Sequence, residues 1–316
     1  MGSPGTVHPE WGRYVAAVAA ELGSVAGLVG TLTSTIPAGA GLSSSAALEV
    51  ATALALLAAS AAPEGEGDRS SLPPGSLAGS AGDPTDLDVA QRAELALLCQ
   101  RAEHRAVGVP SGIMDQLSIC RGTAGAATLI DCATLEVTHV PIPDSAAVWV
   151  LHSGEARRLA GSAYADRRAR AEEAAELLGP LPSADHTEVE ALGDPLLRRR
   201  ARHVRSECDR AVEFAEALGR GDMPDAGRLM LASHRSLASD YEVSNQGARR
   251  PRGRARRRPG CVRRTTHRCR LRWLRRGAVR SGSGPGRVTV GIAWRVAGGP
   301  QRGDLGAAAL ASARAN

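Results

Sequence analysis

The chain has 316 residues and 43% of them are hydrophobic, so it can bury a sizeable core and is not a disordered protein. The net charge of +6 is unevenly distributed: residues 247–316 contain 19 arginines and one acid, whereas residues 1–246 contain 20 arginines and 32 acids. Without a run of 18 apolar residues or a basic leader, the sequence predicts neither a membrane span nor a secretory signal. Six cysteines without a CxxC pair are typical of reduced cytoplasmic thiols rather than of a zinc site or a disulfide framework.

The hydrophobic pattern predicts mixed α and β structure without regular βαβ alternation, which favours an α+β fold. A partly alternating, β-branched stretch predicts a strand over residues 28–36. Short strands around 128–131 and 136–140 predict a hairpin, and another strand follows at 147–153. Predicted helices cover residues 15–22, 46–60, 87–106, 160–178, 196–219 and 225–239. Residues 62–85 are rich in Gly, Ser, Pro and Asp and are predicted to form an exposed loop.

The segment PAGAGLSSS (37–45) lies between a predicted strand and a predicted helix. Its glycines allow the backbone to approach an anion closely, and the N–H groups and dipole at the start of the helix favour phosphate. The hydroxyl of Ser45 is a possible Mg²⁺ ligand. An ordinary glycine turn with a serine N-cap is an equally good interpretation of this segment by itself. The segment is not a Walker A loop, because no GK[ST] follows.

Several motifs carry a family resemblance. The segment PAGAGLSSSAA (37–47) resembles the ATP-binding motif of the GHMP small-molecule kinases, and VGVPSGIMDQ (107–116) resembles the signature of their galactokinase branch. The similarity continues through TLIDC (128–132), GSAYADRR (161–168) and SHRSLASDYEVS (233–244), so it spans about residues 11–246. It implies a two-domain, GHMP-kinase-like α+β fold and ATP-dependent phosphorylation of galactose at its anomeric hydroxyl, with Mg²⁺.

The resemblance assigns roles to two carboxylates. Asp115, in a predicted turn after Gly112, is implied to be the catalytic base that takes the proton of the sugar hydroxyl. For an isolated aspartate, capping of the turn is the commoner role. Glu103 lies on a predicted helix face that otherwise points to the core, so it needs a partner there. The resemblance implies that it binds Mg²⁺ together with Ser45, and a salt bridge to an arginine is the alternative.

The remaining site predictions concern phosphate and sugar. The resemblance implies that the backbone of Gly112 and the hydroxyl of Tyr164 contact the sugar, although packing is the usual role of a tyrosine on an amphipathic helix. The predicted ATP-binding residues are Gly39, Ala40, Gly41, Leu42, Ser43, Ser44 and Ser45. The two loops are expected to converge, because in-line phosphoryl transfer needs phosphate and sugar in one cleft.

Two family motifs have no counterpart in the chain. Galactokinases carry, before the equivalent of Trp11, a sugar-reading Glu-His-Thr-Asp motif and an arginine that stabilises the transferring phosphoryl group, and residues 1–10 do not resemble that segment. Their glycine-rich motif near the C-terminus is also missing. Permitted codons for residues 247–253 and 266–275, read one base later, encode family-like sequences that include this motif. Residues 247–316 are therefore predicted to be a disordered, frameshift-derived, Arg-rich tail.

The predicted organisation is a truncated N-terminal ATP-binding domain at 1–145, a partial C-terminal domain at 146–246 and the tail at 247–316. We expect a cytoplasmic monomer that binds ATP, Mg²⁺ and galactose, has impaired turnover, and contacts neither a membrane nor a specific nucleic acid. Three alternatives remain: a protein that binds nucleotide or sugar without catalysis, a non-functional gene product and, least favoured, a nucleic-acid binder acting through the basic tail.

Overall fold

The computed structural model describes residues 4–23, 28–38, 41–61, 86–108, 110–152 and 161–244, together with three strand segments after residue 260. The helices are α1 (Gly12–Leu22), α2 (Ser44–Ala61), α3 (Val89–Val107), α4 (Met114–Arg121), α5 (Gly161–Leu178), α6 (His186–Ala191), α7 (Pro195–Gly219) and α8 (Met223–Ser239). Short 3₁₀ turns cover Pro4–Thr6 and Leu181–Ser183. The strands are β1 (Ala126–Ile130), β2 (Val137–Pro141), β3 (Ala146–His152), β4 (Cys261–Arg263), β5 (Cys269–Arg275) and β6 (Ala293–Arg295). The predicted α+β character is confirmed, and the predicted exposed loop at 62–85 lies outside the described residues.

The first of two compact units contains the described residues up to Ala124 and the segment Ile130–His139. Its core is formed by small and aliphatic side chains of α1 to α4, with Leu22 and Leu117 almost completely buried. Local sequence sets the ends of α3: a capping box between Asp88 and Gln91 starts it, and Gly108 in the left-handed conformation ends it. These two ends place Glu103 near the C-terminal end of a well-defined helix.

The second unit contains residues 125–129 and most of the chain from Val140 onward. The long helix α7 begins at an aspartate N-cap, Asp194, followed by Pro195 in the first turn. The helix α8 begins in the same way at Asp222. One buried cluster includes residues of α7, α8, β2 and β3, and a second includes residues of α5, α6 and α7. The predicted domain boundaries at 145 and 246 remain predictions.

A four-stranded sheet in the second unit has the order β4-β5-β3-β6, in which β6 alone runs parallel to its neighbour β3. Three of its strands, 13 residues in all, lie within residues 247–316, for which the sequence predicts a disordered tail. Within Cys269–Arg275, apolar and basic residues alternate from Cys269 to Trp273, which is the pattern of a strand. The sequence analysis missed this short pattern because arginines are so frequent on both sides of it. The other tail residues lie outside the described part of the chain.

The predicted strand at 28–36 is wrong, because the structure has irregular backbone there. Among the described residues no strand pairs with this stretch, and a strand needs a neighbour to satisfy its backbone N–H and C=O groups. The apolar side chains of Leu28, Val29 and Leu32 are consequently exposed. The predicted hairpin, in contrast, is present as β1 and β2.

The sequence analysis did not predict two short helices, α4 and α6. Asp115 therefore lies in the first turn of a helix and not in a loop, which corrects its predicted setting. Within the described residues, no helix combines the length and apolar character that crossing a bilayer requires.

Candidate active site

The loop before α2 has an unusual backbone at two positions. Gly41 has φ 77° and Ser43 has φ 57°, and the Ser43 carbonyl accepts the first helical hydrogen bond, from the N–H of Ala47, at 3.0 Å. A positive φ is uncommon for serine, and such outliers concentrate at functional sites. Helix α2 begins at Ser44, directly after this turn. The N–H groups of a first helical turn have no acceptor within the helix, so those of α2 are available to a ligand at the loop. Gly39 and Ala40 lie outside the described residues.

The carboxylate of Glu103 joins three segments of the first unit. Its Oε1 accepts a hydrogen bond from the Ser45 hydroxyl at 3.1 Å. Its Oε2 accepts hydrogen bonds from the Ser111 hydroxyl at 2.5 Å and from Nε2 of Gln116 at 3.1 Å. The predicted convergence of the glycine-rich loop and the segment 107–116 is thus confirmed. The described partners of Glu103 are neutral side chains, and within the described residues no salt bridge to an arginine is found for it.

The segment before α4 is held in place through its backbone. Nε2 of His104 lies 2.9 Å from the carbonyl oxygen of Ser111, and Nε2 of Gln100 donates to the same oxygen at 3.1 Å. The next residue, Gly112, is exposed, and a Cβ added there would meet nothing within 4 Å. The fixed backbone beside open space leaves room for a ligand at Gly112, and the sugar contact remains a prediction.

A buried polar pair lies behind Glu103 and was missed by the sequence analysis. Glu49 and Gln116 are both 0% exposed, and Nε2 of Gln116 donates to Oε2 of Glu49 at 3.0 Å. Burial, and then the negative charge of Glu103, raises the pKa of Glu49 from 4.5 to about 8. One signal could have found it: Glu49 follows Ser45 by one helical turn and is the only charged residue of the alanine-rich α2.

The two other predicted site residues differ in how far the structure describes them. Asp115 is half-buried in the first turn of α4, and its charge contributes to the raised pKa of Glu49. Tyr164 lies in α5, and its side chain is outside the described residues. The roles of both side chains remain predictions.

The donor set at Glu103 fits a magnesium ion. Glu103 and Ser45 offer a carboxylate and a hydroxyl oxygen, and Mg²⁺ prefers one or two such groups with phosphate and water completing its octahedron. The described residues hold no group of three or more His, Cys, Asp or Glu side chains of the kind that traps a metal by itself. The arrangement therefore suits a cation that arrives with a phosphate ligand.

Comparison with known proteins gives consistent results. A family model described as the GHMP kinases N-terminal domain matches residues 12–72. Galactokinases from Chloroflexus aurantiacus and Homo sapiens are 42% and 41% identical to this chain over 249 residues, covering 74% and 76% of it. The crystal structure of Lactococcus lactis galactokinase complexed with galactose matches with a TM-score of 0.66 and 26% identity, covering 86% of this chain and 68% of that one.

The relatives are longer than this chain. The sequence alignments span only 57% and 56% of the two galactokinases named above. The aligned share of this chain is close to the part before Gly247, which is 246 of 316 residues. The predicted family and GHMP-kinase fold are confirmed by these matches, whereas the activity of the whole protein needs separate support.

Proposed function

Because this chain belongs to the GHMP kinases and, within them, to the galactokinases, we propose that it binds ATP, Mg²⁺ and galactose for transfer of the γ-phosphate to the anomeric hydroxyl. The observation that carries the proposal is the link from Ser45 through Glu103 to Ser111. It joins the start of α2, where phosphate would bind, to the segment that leads into Asp115. Phosphoryl transfer needs such a junction, because the sugar hydroxyl must lie in line with the γ-phosphate.

The phosphate side of the site is assigned to the loop before α2. Residues 39–45 would surround the phosphates with backbone N–H groups, assisted by the positive end of α2. Ser45 and Glu103 would hold Mg²⁺, which when bound neutralises charge on the phosphates. Glu103 and Asp115 both raise the pKa of Glu49 electrostatically, so this part of the unit has an excess of carboxylates that a bound cation would offset.

The sugar side is assigned to the start of α4. Asp115 would accept the proton of the anomeric hydroxyl as that oxygen attacks phosphorus. Asp115 lies in the first turn of α4, next to the segment that Glu103 binds through Ser111. The backbone of Gly112 and the hydroxyl of Tyr164 would hold the sugar in the orientation for attack.

We propose that turnover by these 316 residues is slow, whether or not more chain precedes them. They contain no Glu-His-Thr-Asp motif, which galactokinases use to bind the sugar. In related phosphoryl transfers, loss of a cation at the transferring group costs about 10³–10⁵ in rate. We place the protein in the cytoplasm as a monomer, with reduced cysteines.

The experiment measures binding and chemistry separately. Equilibrium binding of a fluorescent ATP analogue is followed with and without Mg²⁺, and transfer of radiolabelled phosphate to galactose is followed with protein in excess, so that slow chemistry is detected. Asp115→Asn is expected to keep Mg²⁺-dependent binding and to lower the transfer rate by about 10²–10⁴.

The matched control is Asp144→Asn, at an exposed aspartate outside the site. It should leave both measurements unchanged. The proposal would be contradicted if nucleotide affinity were the same with and without Mg²⁺, or if Asp115→Asn and Asp144→Asn had equal transfer rates. Mg²⁺-dependent binding with no transfer by the unaltered chain would identify a non-catalytic member of the family.

A further inference from the structure

We propose that Glu49 and Gln116 are positioning residues that fix which oxygen of Glu103 faces Ser45, and thereby set how tightly the site takes Mg²⁺ with nucleotide. The inference rests on the proposed function for the identity of the ligand. The hydrogen bonds on which it is built belong to the described structure and do not depend on that function.

The first step concerns the two oxygens of Glu103, which are not equivalent. Oε2 already accepts two hydrogen bonds, from the Ser111 hydroxyl and from the amide of Gln116. Oε1 is the oxygen that meets the Ser45 hydroxyl. The carboxylate is therefore held by one oxygen and presents the other. A free carboxylate would rotate between the two arrangements and lose side-chain entropy when a cation binds.

The second step concerns the anchor of the Gln116 amide. Its Nε2 carries two hydrogens, and the structure accounts for both, one on Glu103 and one on Glu49. Because Gln116 is completely buried, its amide cannot exchange these partners for water. Glu49 thus sets the orientation of Gln116, and Gln116 sets the orientation of Glu103. The relay connects side chains of α2, α4 and α3.

The third step explains two buried oxygens that have no hydrogen-bond partner, Oε1 of Glu49 and Oε1 of Gln116. Both are acceptors as long as Glu49 is ionised, and a buried acceptor without a hydrogen bond is unfavourable. A proton on Glu49 turns one of its carboxylate oxygens into a hydroxyl, which removes the cost of burying a charged acceptor. Burial and the neighbouring charge of Glu103 raise the pKa of Glu49 to about 8, which agrees with a neutral acid at neutral pH.

The consequence is that the hydrogen bonds which hold the carboxylate of Glu103 come from side chains that are themselves neutral. A glutamine at position 49 has the same shape and is neutral, and it offers both a donor and an acceptor to Gln116. A methionine at either position has a similar length but no strong hydrogen-bonding group. These two replacements separate hydrogen bonding from the filling of space.

The experiment titrates Mg²⁺ into the full chain with a fluorescent ATP analogue and compares Glu49→Gln, Glu49→Met and Gln116→Met. Groups that orient metal ligands typically change metal affinity by about 10–100-fold when they are removed. The two methionine variants are expected to raise the Mg²⁺ concentration for half-maximal binding by about 10-fold. Glu49→Gln should stay within about 3-fold of the unaltered chain, and Glu216→Met, at an exposed position of α7, serves as the control.

A second measurement needs no ligand, and it stays informative even if a variant is too unstable for the binding experiment. Unfolding of the single variants Gln116→Met and Glu103→Gln is compared with unfolding of the double variant. The effects should not add, because the two side chains share a hydrogen bond. Additive effects on the free energy of unfolding would overturn the inference. It would also be overturned if Glu49→Gln needed as high a Mg²⁺ concentration for half-maximal binding as Glu49→Met does. If the unaltered chain shows no Mg²⁺-dependent binding, the proposed function fails and the magnesium part of the inference fails with it, while the double-variant comparison still decides the hydrogen-bonded support.

Discussion

Raising the pH from 5 to 8 should destabilise the first unit, and Glu49→Gln should remove most of that dependence. The folded state holds the proton of Glu49 up to a pKa of about 8, whereas the unfolded chain releases it near 4.5. The folded state therefore binds more protons between these values, so the free energy of unfolding falls as pH rises through this window and levels off above it. At about 1.4 kcal/mol per pH unit, the whole interval corresponds to about 5 kcal/mol as an upper value.

Hydrogen exchange of amides in α2 and α4 measures this effect in the first unit alone, after correction for the intrinsic exchange rate at each pH. The other titratable groups that influence the pKa of Glu49 are Glu103 and Asp115, and both are present in the two proteins. The comparison with Glu49→Gln therefore reports the titration of Glu49 together with its electrostatic coupling to these two carboxylates. The measurement is made without Mg²⁺ and nucleotide. A difference that stays constant from pH 5 to 8 would refute the assignment of Glu49 as a buried neutral acid.

Three further variants test packing and local structure through urea unfolding. Arg200→Met removes a mostly buried guanidinium that binds the half-exposed carboxylate of Glu242 at 2.6 Å, and it should cost about 2 kcal/mol. The control Arg228→Met breaks only an exposed pair and should cost at most about 0.5 kcal/mol; equal losses would contradict the reasoning. Asp88→Ala removes the capping box of α3 and should cost about 1 kcal/mol, with Asp88→Asn retaining most of the stability. Leu117→Ala opens a cavity at a fully buried position and should cost about 2–5 kcal/mol, so a loss below 1 kcal/mol would argue against this core.

Elements with local signals were predictable from sequence. The helix predicted at 87–106 is found at Val89–Val107, because the capping residue Asp88, the periodic apolar residues and Gly108 are all visible in one short stretch. The strand predicted at 28–36 failed for the opposite reason. Its β-branched composition is local, but whether a strand forms depends on a partner elsewhere in the chain. The short helix α4 was missed because Pro110 and Gly112 immediately before it resemble a continuing turn.

The candidate site shows the same division. The pairing of Ser45 with Glu103 was predicted from family motifs, and the structure brings the two side chains to 3.1 Å. The contact between Glu49 and Gln116 could not be predicted from sequence, because it depends on how α2 and α4 pack around α3. A buried acid in an alanine-rich helix indicates that some partner exists but does not identify it. The partner becomes known only when the three helices are assembled.

The uneven use of the two Glu103 oxygens bears on discrimination between divalent cations. With Oε2 engaged by Ser111 and Gln116, the carboxylate would offer a metal only Oε1, and so would act as a monodentate ligand. Ca²⁺ takes six to eight oxygens and commonly uses both oxygens of a carboxylate, whereas the smaller Mg²⁺ needs near-octahedral geometry with single-oxygen contacts. If Glu103 holds the metal as proposed, the two hydrogen bonds to its Oε2 would also disfavour the larger ion, although neither donor would contact the metal.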